Sequence, residues 1–314
     1  LLLATFGLHP RHRFGQNFLH NADKMGQIIA AAELSPGDLV LEVGPGTGAL
    51  SVRLLAAGAR LVAVEIDRDL QPILESQLGL SRTVLQAVAS ASTGENGPAS
   101  ASSGEHGLQS RPTADLIIDD VLDGKHAINP RVYESLQHMT GCGSPSFKLV
   151  ANLPYNVASP LIANLLLAPF PTADTGSLAP GSPSPPRLSL AVVLIQREVA
   201  DRLLAPPGGK DYGPLGILVQ MMCEVDRIAT LPPGCFWPSP KVDSAVVRLR
   251  VREKPLVGDP RRLTDLLHRL FSKRRKQLGA ILGRRIILPD GIDANQRPEQ
   301  LTLVQLAAMT DAGI

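Results

Sequence analysis

The chain has 314 residues, 44% of them hydrophobic, and 31 basic against 29 acidic side chains leave a net charge of only +2. That length suits one large domain with a smaller companion. The balanced charge says little about partners, so local clusters carry more of that argument. The longest apolar stretches, residues 161–170 and 191–195, are too short to span a bilayer. Cys142, Cys223 and Cys235 show no C-x-x-C spacing, which argues against a disulfide framework or a zinc site and fits a reducing, cytoplasmic setting. The apolar residues 1–8 lack a basic leader and a cleavage site, so no secretory signal is expected there.

From about residue 20 to 200, strand and helix signals alternate. Residues 39–43 read as a buried strand, 44–48 as a turn and 49–57 as a helix closed by Gly58. Residues 61–65 form the next strand, and 67–78 place Leu70, Ile73, Leu74 and Leu78 on one helical face. Further strands are expected at 116–118, 147–151 and 189–195. Repeated β-α units predict a doubly wound, largely parallel α/β sheet. Residues 89–113, rich in Ser, Gly and Ala, and 171–186, rich in Pro, Ser and Gly, read as surface insertions. Beyond residue 255 the pattern turns helical, over 263–282 and near 301–309. This predicts a sheet domain over 1–254 and a small helical domain over 255–314.

Residues 42–48, Glu-Val-Gly-Pro-Gly-Thr-Gly, leave a strand and open a helix. Glycines there permit a sharp turn and close approach to a ligand. Glu65 ends the following strand about 20 residues on, where a carboxylate can accept both hydroxyls of a ribose. The pattern fits dinucleotide enzymes as well as methyltransferases. Two details favour the latter. The glycines alternate as Gly44-x-Gly46-x-Gly48, and Glu42 places an anion beside the loop, which suits a ligand bearing an ammonium group better than a pyrophosphate. Asp119 and Asp120 end a later strand, where an acid could accept an adenine amine; a solvated pair or a helix cap is an equal reading of the residues alone.

Asn152-Leu153-Pro154-Tyr155 follows the strand 147–151. The exocyclic amine of adenine is a poor nucleophile, because its lone pair is delocalised into the ring. An Asn side-chain oxygen and a backbone carbonyl can accept its two N–H bonds and favour a pyramidal nitrogen. Pro154 stiffens the turn, and Tyr155 can stack on the base and hold it in line with a sulfonium methyl.

With these residues in place, the chain resembles the KsgA/RsmA family of small-subunit ribosomal RNA adenine N6,N6-dimethyltransferases. The resemblance rests on residues 13–19 (R-F-G-Q-N-F-L), 42–51, 65–67 (E-I-D), 152–156 (N-L-P-Y-N), 196–200 (Q-R-E-V-A) and 236–244 (F-W-P-S-P-K-V-D-S). It runs from about residue 11 to the C-terminus, apart from the insertions. It implies a Rossmann-like class I methyltransferase fold with S-adenosylmethionine as cofactor. Gln16, Asn17 and Leu19 would close over that cofactor. Glu42, Gly44 and Gly46 would lie at its methionine end, Glu65 at its ribose and Asp120 at its adenine, with Asn152 also in reach. Asn152, the Leu153 carbonyl, Pro154 and Tyr155 would form the target-adenine site, and Phe236 would stack on the other face of the base. Asp120 is chosen over Asp119 because Asp120-Val121-Leu122 matches the family's D-V/A-L.

Lys273, Arg274, Arg275 and Lys276 form a basic run with no acid between them. Together with Arg11, Arg13 and Lys241 they are the candidate RNA contacts, since neutralising phosphates releases counterions. The resemblance implies small-subunit rRNA, within a precursor subunit particle, as partner. The target would be two adjacent adenines in the hairpin loop near its 3′ end. A monomer acting without a metal is expected. The intact N-L-P-Y-N and P-K-V-D-S segments favour this over the Erm-type large-subunit enzyme. Intact Glu65, Asn152 and Tyr155 argue against a non-catalytic RNA-binding relative.

Overall fold

The computed structural model describes residues 2–11, 14–80, 113–125, 127–140, 146–170, 186–283 and 285–314. The expected insertions at 89–113 and 171–186 lie outside the described residues, apart from Thr113 and Pro186 at their ends. The strands are β1 (Phe18–Leu19), β2 (Leu39–Val43), β3 (Arg60–Glu65), β4 (Ala114–Ile118), β5 (Leu122–Asp123), β6 (Ala127–Ile128), β7 (Ser146–Asn152), β8 (Arg187–Gln196), β9 (Cys223–Leu231), β10 (Phe236–Trp237) and β11 (Ser244–Val251). The helices are α1 (Leu2–Thr5), α2 (Ala22–Ala31), α3 (Ala49–Ala56), α4 (Gln71–Gln77), α5 (Pro130–Thr140), α6 (Ala158–Leu167), α7 (Arg197–Leu204), α8 (Pro214–Met222), α9 (Pro260–Phe271), α10 (Leu278–Leu282) and α11 (Leu303–Asp311).

Seven strands form one sheet in the order β4-β3-β2-β7-β8-β11-β9. The first five run parallel, and β11 is antiparallel to both of its neighbours. All five residues of β2 are buried, as an interior parallel strand covered on both faces requires. Leu39, Leu41 and Val43 point into a large core with α5, α6 and α8; Val40 points the other way, into a second core with Met25 and Ile28 of α2 and Leu50 and Leu54 of α3. The result is a helix-sheet-helix sandwich. From β2 the chain steps to β3 and β4 on one side, then returns to β7 and β8 on the other. Between β2 and β7 lies a topological switch point, and in such sheets ligands bind outside the carboxyl ends of the strands there.

The C-terminal helices dock on the larger core. Leu263, Leu266, Leu267 and Leu270 of α9 lie in the same buried cluster as Val247 and Leu249 of β11, so the tail shares a core with the sheet. Each such leucine gains about 1.5–3 kcal/mol from burial. Asp259 caps α9 by accepting from the N–H groups of Arg261 and Arg262, both at 3.0 Å. Tyr212, in the loop before α8, holds the tail by donating its hydroxyl to the Leu301 carbonyl at 3.0 Å, and its ring meets Phe271 edge-on. The continuous helical reading of 263–282 needs correction. The helix ends at Phe271, and turns run to Gln277 before α10 begins. Residues 272–277, Ser-Lys-Arg-Arg-Lys-Gln, offer no apolar side chain to bury, and helices in proteins owe most of their stability to a packed apolar face.

Candidate active site

A cavity of about 260 Å³ opens at the switch point. Its walls come from the carboxyl ends of β2, β3, β4 and β7 and from the arm of residues 14–19 that folds across them. Gly44, Gly46 and Gly48 all hold positive φ, at 69°, 61° and 81°, a conformation that L side chains adopt only with strain. At Gly46 there is a second constraint. A Cβ there would lie 2.8 Å from the Phe18 ring. The missing side chain makes room for the arm, whereas the sequence suggested room for a ligand.

Four carboxylates line the cavity (Glu42, Glu65, Asp119 and Asp120), with no Lys, Arg or His among the described lining residues. Glu65 is buried. Its Oε2 accepts the Gly46 N–H at 3.1 Å and its Oε1 accepts the Asp67 N–H at 2.9 Å. Burial raises its pKa, and those two N–H bonds work in the opposite direction. Glu42 is 1% exposed, and its Oε2 has no hydrogen-bond partner. Burial pushes its pKa up to about 8; the Ser51 hydroxyl opposes this and the Glu65 charge adds to it. A desolvated carboxyl group with one unpartnered oxygen, on an all-acidic wall, fits a cationic ligand that also carries hydroxyls. It repels a pyrophosphate. S-adenosylmethionine, with its sulfonium, ammonium and ribose diol, meets that description.

Asp119 and Asp120 separate in role. Asp119 accepts the Asp120 N–H at 2.9 Å and pairs with Arg131 at 3.0 Å, and these partners lower its pKa. Asp120 is exposed at the cavity, with Oδ1 accepting the Leu122 N–H at 2.9 Å.

At the end of β7, Asn152 donates from Nδ2 to the Asn17 carbonyl at 2.9 Å. That bond fixes which end of the amide faces which way, leaving Oδ1 as an acceptor. The Leu153 side chain is buried in the larger core, so its backbone is the part available at the wall. Half-buried Tyr155 is steadied from behind by Ser244, with the two hydroxyls 3.4 Å apart.

This acidic cofactor wall beside an oriented amide is matched by sequence likeness along nearly the whole chain. A family model described as ribosomal RNA adenine dimethylase matches residues 7–297. The chain belongs to the ribosomal RNA adenine dimethylase family. A ribosomal RNA small subunit methyltransferase A of Thermosynechococcus vestitus is 37% identical over 313 residues, covering 97% of each chain. Its namesake in Pseudomonas syringae pv. tomato is 35% identical over 316 residues, covering 99% of this chain and 97% of that one. Among solved structures, a dimethyladenosine transferase from Plasmodium falciparum superposes with a TM-score of 0.60, covering 94% of this chain and 98% of that one. The 23S rRNA methyltransferase ErmE gives 0.54, covering 94% and 100%. Both are 22% identical, which speaks to the fold alone.

Not every residue expected to serve this adenine dimethylase lies where the sequence placed it. Gln16, Asn17 and Leu19 do line the cavity, but both ends of the Gln16 amide are committed to protein. Its Oε1 accepts the Arg11 N–H at 2.8 Å and its Nε2 donates to Asp67 at 2.7 Å. Arg11, expected on RNA, instead pairs with Asp67 at 3.0 Å and with Asp69. Two acids in the turn after β3 hold its guanidinium there. Phe236 is a second correction. Its ring is 4% exposed, packs in the second core and is absent from the cavity wall. Pairing of β10 with β1 sets Phe236 opposite Leu19 and turns both inward. Arg274 is a third. Its guanidinium donates to the carbonyls of Lys210 and Gly209 at 2.8 and 2.9 Å, holding the basic turn against the loop before α8. Lys241, Lys273, Arg275 and Lys276 are exposed, and Arg13 lies outside the described residues. Three residues that the sequence reading gave no role, Phe18, Asp67 and Ser244, complete the site. All three sit inside quoted motifs, but only the pairing of distant segments shows what they hold.

No helix among the described residues is long and apolar enough to cross a membrane, and no group of three or more metal-ligating side chains occurs among them.

Proposed function

We propose that this adenine dimethylase modifies N6 of two adjacent adenines in the hairpin loop near the 3′ end of small-subunit rRNA, acting in the cytoplasm as a monomer on a precursor of the small subunit. The observation that carries this reading is the full-length likeness to small-subunit methyltransferases, together with the intact oriented amide of Asn152.

S-adenosylmethionine supplies the methyl group from a positively charged sulfur. The residues then divide the work. Glu65 would accept hydrogen bonds from the ribose hydroxyls and Asp120 one from the cofactor's adenine amine, while Glu42, protonated in the unliganded protein, would ionise beside the positive charge at the methionine end. Asn152 Oδ1 and the Leu153 carbonyl accept the two N–H bonds of the target amine, localising its lone pair toward the methyl group. Tyr155 stacks on the base, which must leave its own stack to enter. No strong general base is required, because the nitrogen becomes acidic once alkylated. Lys241, Lys273, Arg275 and Lys276 meet phosphates.

Labelled methyl transfer tests the assignment. Unmethylated small subunits or their precursors should accept label from S-adenosylmethionine and yield dimethyladenosine by mass spectrometry. Label found only in large-subunit RNA would overturn the small-subunit reading and favour the Erm-type alternative.

A further inference from the structure

We propose that Trp237 is the stacking platform for a nucleobase flanking the target adenine; the proposal rests on the RNA substrate read above. It follows from the register of a two-stranded ribbon. β1 and β10 pair antiparallel, with Phe18 opposite Trp237 and Leu19 opposite Phe236. Alternation along a strand sends these two pairs to opposite faces. Leu19 and Phe236, 8% and 4% exposed, face the second core. Phe18 and Trp237 share the other face. Phe18 belongs to the cavity wall, its ring against Gly46. Side chains directly opposite each other have Cβ atoms about 4.5–5.5 Å apart, so Trp237 stands beside Phe18, just outside the residues that line the cavity. There Trp237 is 50% exposed.

The loop that follows favours a nucleic acid as occupant. Ser239 anchors it by donating to the Pro233 carbonyl at 2.8 Å. Asp243 is neutralised by Arg197 at 2.7 Å. Lys241 is exposed and has no ion-pair partner among the described residues. A flat aromatic face followed a few residues later by a free cation matches the alternation of base and phosphate in a single strand, and stacking on an aromatic side chain tolerates any base. A single strand delivering an adenine to Tyr155 must pass the rim of this cavity. The inward turn of Phe236 leaves Trp237 as the exposed aromatic of its motif.

Trp237 is the only tryptophan in the chain, so intrinsic fluorescence reports on it alone. An oligoribonucleotide carrying the adenine loop should quench that emission in step with the anisotropy of the same RNA bearing an end label. Trp237→Ala should raise KM for unmethylated small subunits about ten-fold while kcat and calorimetric cofactor affinity stay unchanged, and Trp237→Phe should recover part of the loss. RNA that binds by anisotropy without altering the emission, or an unchanged KM in Trp237→Ala, overturns the stacking role. A wild-type enzyme that labels only large-subunit RNA overturns the substrate reading instead, and the emission change on binding single-stranded RNA still decides for or against Trp237.

Discussion

The floor of the cavity and the basic turn after α9 are both clusters of like ionisable groups, yet they are built in opposite ways. On the floor, Glu42 and Glu65 are buried, and two backbone N–H groups hold Glu65 in place. In the turn, Lys273, Arg275 and Lys276 stand in water. A desolvated charge shifts its own pKa and acts strongly over short distances, whereas an exposed charge is screened within about 10 Å at moderate salt. The floor therefore suits discrimination among small ligands by charge and shape. The turn suits a partner whose phosphates are many and whose contacts add up. A substitution on the floor should act steeply and specifically, and one in the turn should act weakly and in proportion to ionic strength.

The steepest test of that contrast is Asn152. On the proposed mechanism, replacement by Ala removes an acceptor that matters as charge develops on the target nitrogen, and losses of about 10²–10³-fold in kcat are typical for such groups. Single-turnover methyl transfer should fall by that factor while calorimetry still detects cofactor binding. Full activity in Asn152→Ala would end the amine-orienting role and, with it, the claim that the floor is more sensitive than the turn.

Much of the floor was legible in the sequence because its parts are local. The turn at 44–48, the acid ending β3 and the Asn-Leu-Pro-Tyr segment ending β7 each sit at a strand terminus, and period and spacing mark strand ends. The expected strands at 39–43, 61–65 and 147–151 match β2, β3 and β7 to within a residue at each end. The antiparallel strands β9 and β11 were missed. So was the direction of Phe236, because it depends on which distant segment pairs with residues 236–237. Arg11 and Arg274 misled for the same reason. Charge is visible in sequence, but the acids and carbonyls that engage it lie 56 and more residues away. The basic turn was legible as composition, though not as a break between two helices.

An intermediate effect is expected at Glu42. Its pKa in the folded chain rises from 4.5 to about 8, chiefly through burial. A raised folded-state pKa means that its contribution to stability is complete below about pH 4.5 and is lost as pH climbs through 8. The unliganded protein should therefore melt progressively lower from pH 5 to pH 9. The loss is on the order of a few kcal/mol, at roughly 2–4 °C for each. Glu42→Gln should flatten that slope. A residual slope should persist, because Glu65 is shifted in the same direction. Thermal melts across pH on both proteins measure this directly. Equal slopes would mean that water reaches Glu42 and that the floor is less dry than its burial indicates.

The smallest effects separate two neighbours in the turn. Arg274 binds the carbonyls of Lys210 and Gly209 and lies 3.9 Å from Glu299, so Arg274→Ala strips partners from the loop before α8. Hydrogen bonds to charged groups contribute about 1.5–3 kcal/mol each, with the lower end apt for a partly exposed side chain. Denaturant melts should show a loss of up to about 3 kcal/mol for the two bonds together. Arg275 is exposed, and Arg275→Ala should leave stability within about 0.5 kcal/mol of wild type. The slope of log affinity against log salt for rRNA should then decrease by about one unit. The two variants remove the same charge from adjacent positions, so net charge cannot explain a difference between them. If Arg274→Ala instead lowered the salt slope without loss of stability, its carbonyl bonds would be dispensable, and the turn would be the uniformly free cationic surface that its sequence suggests.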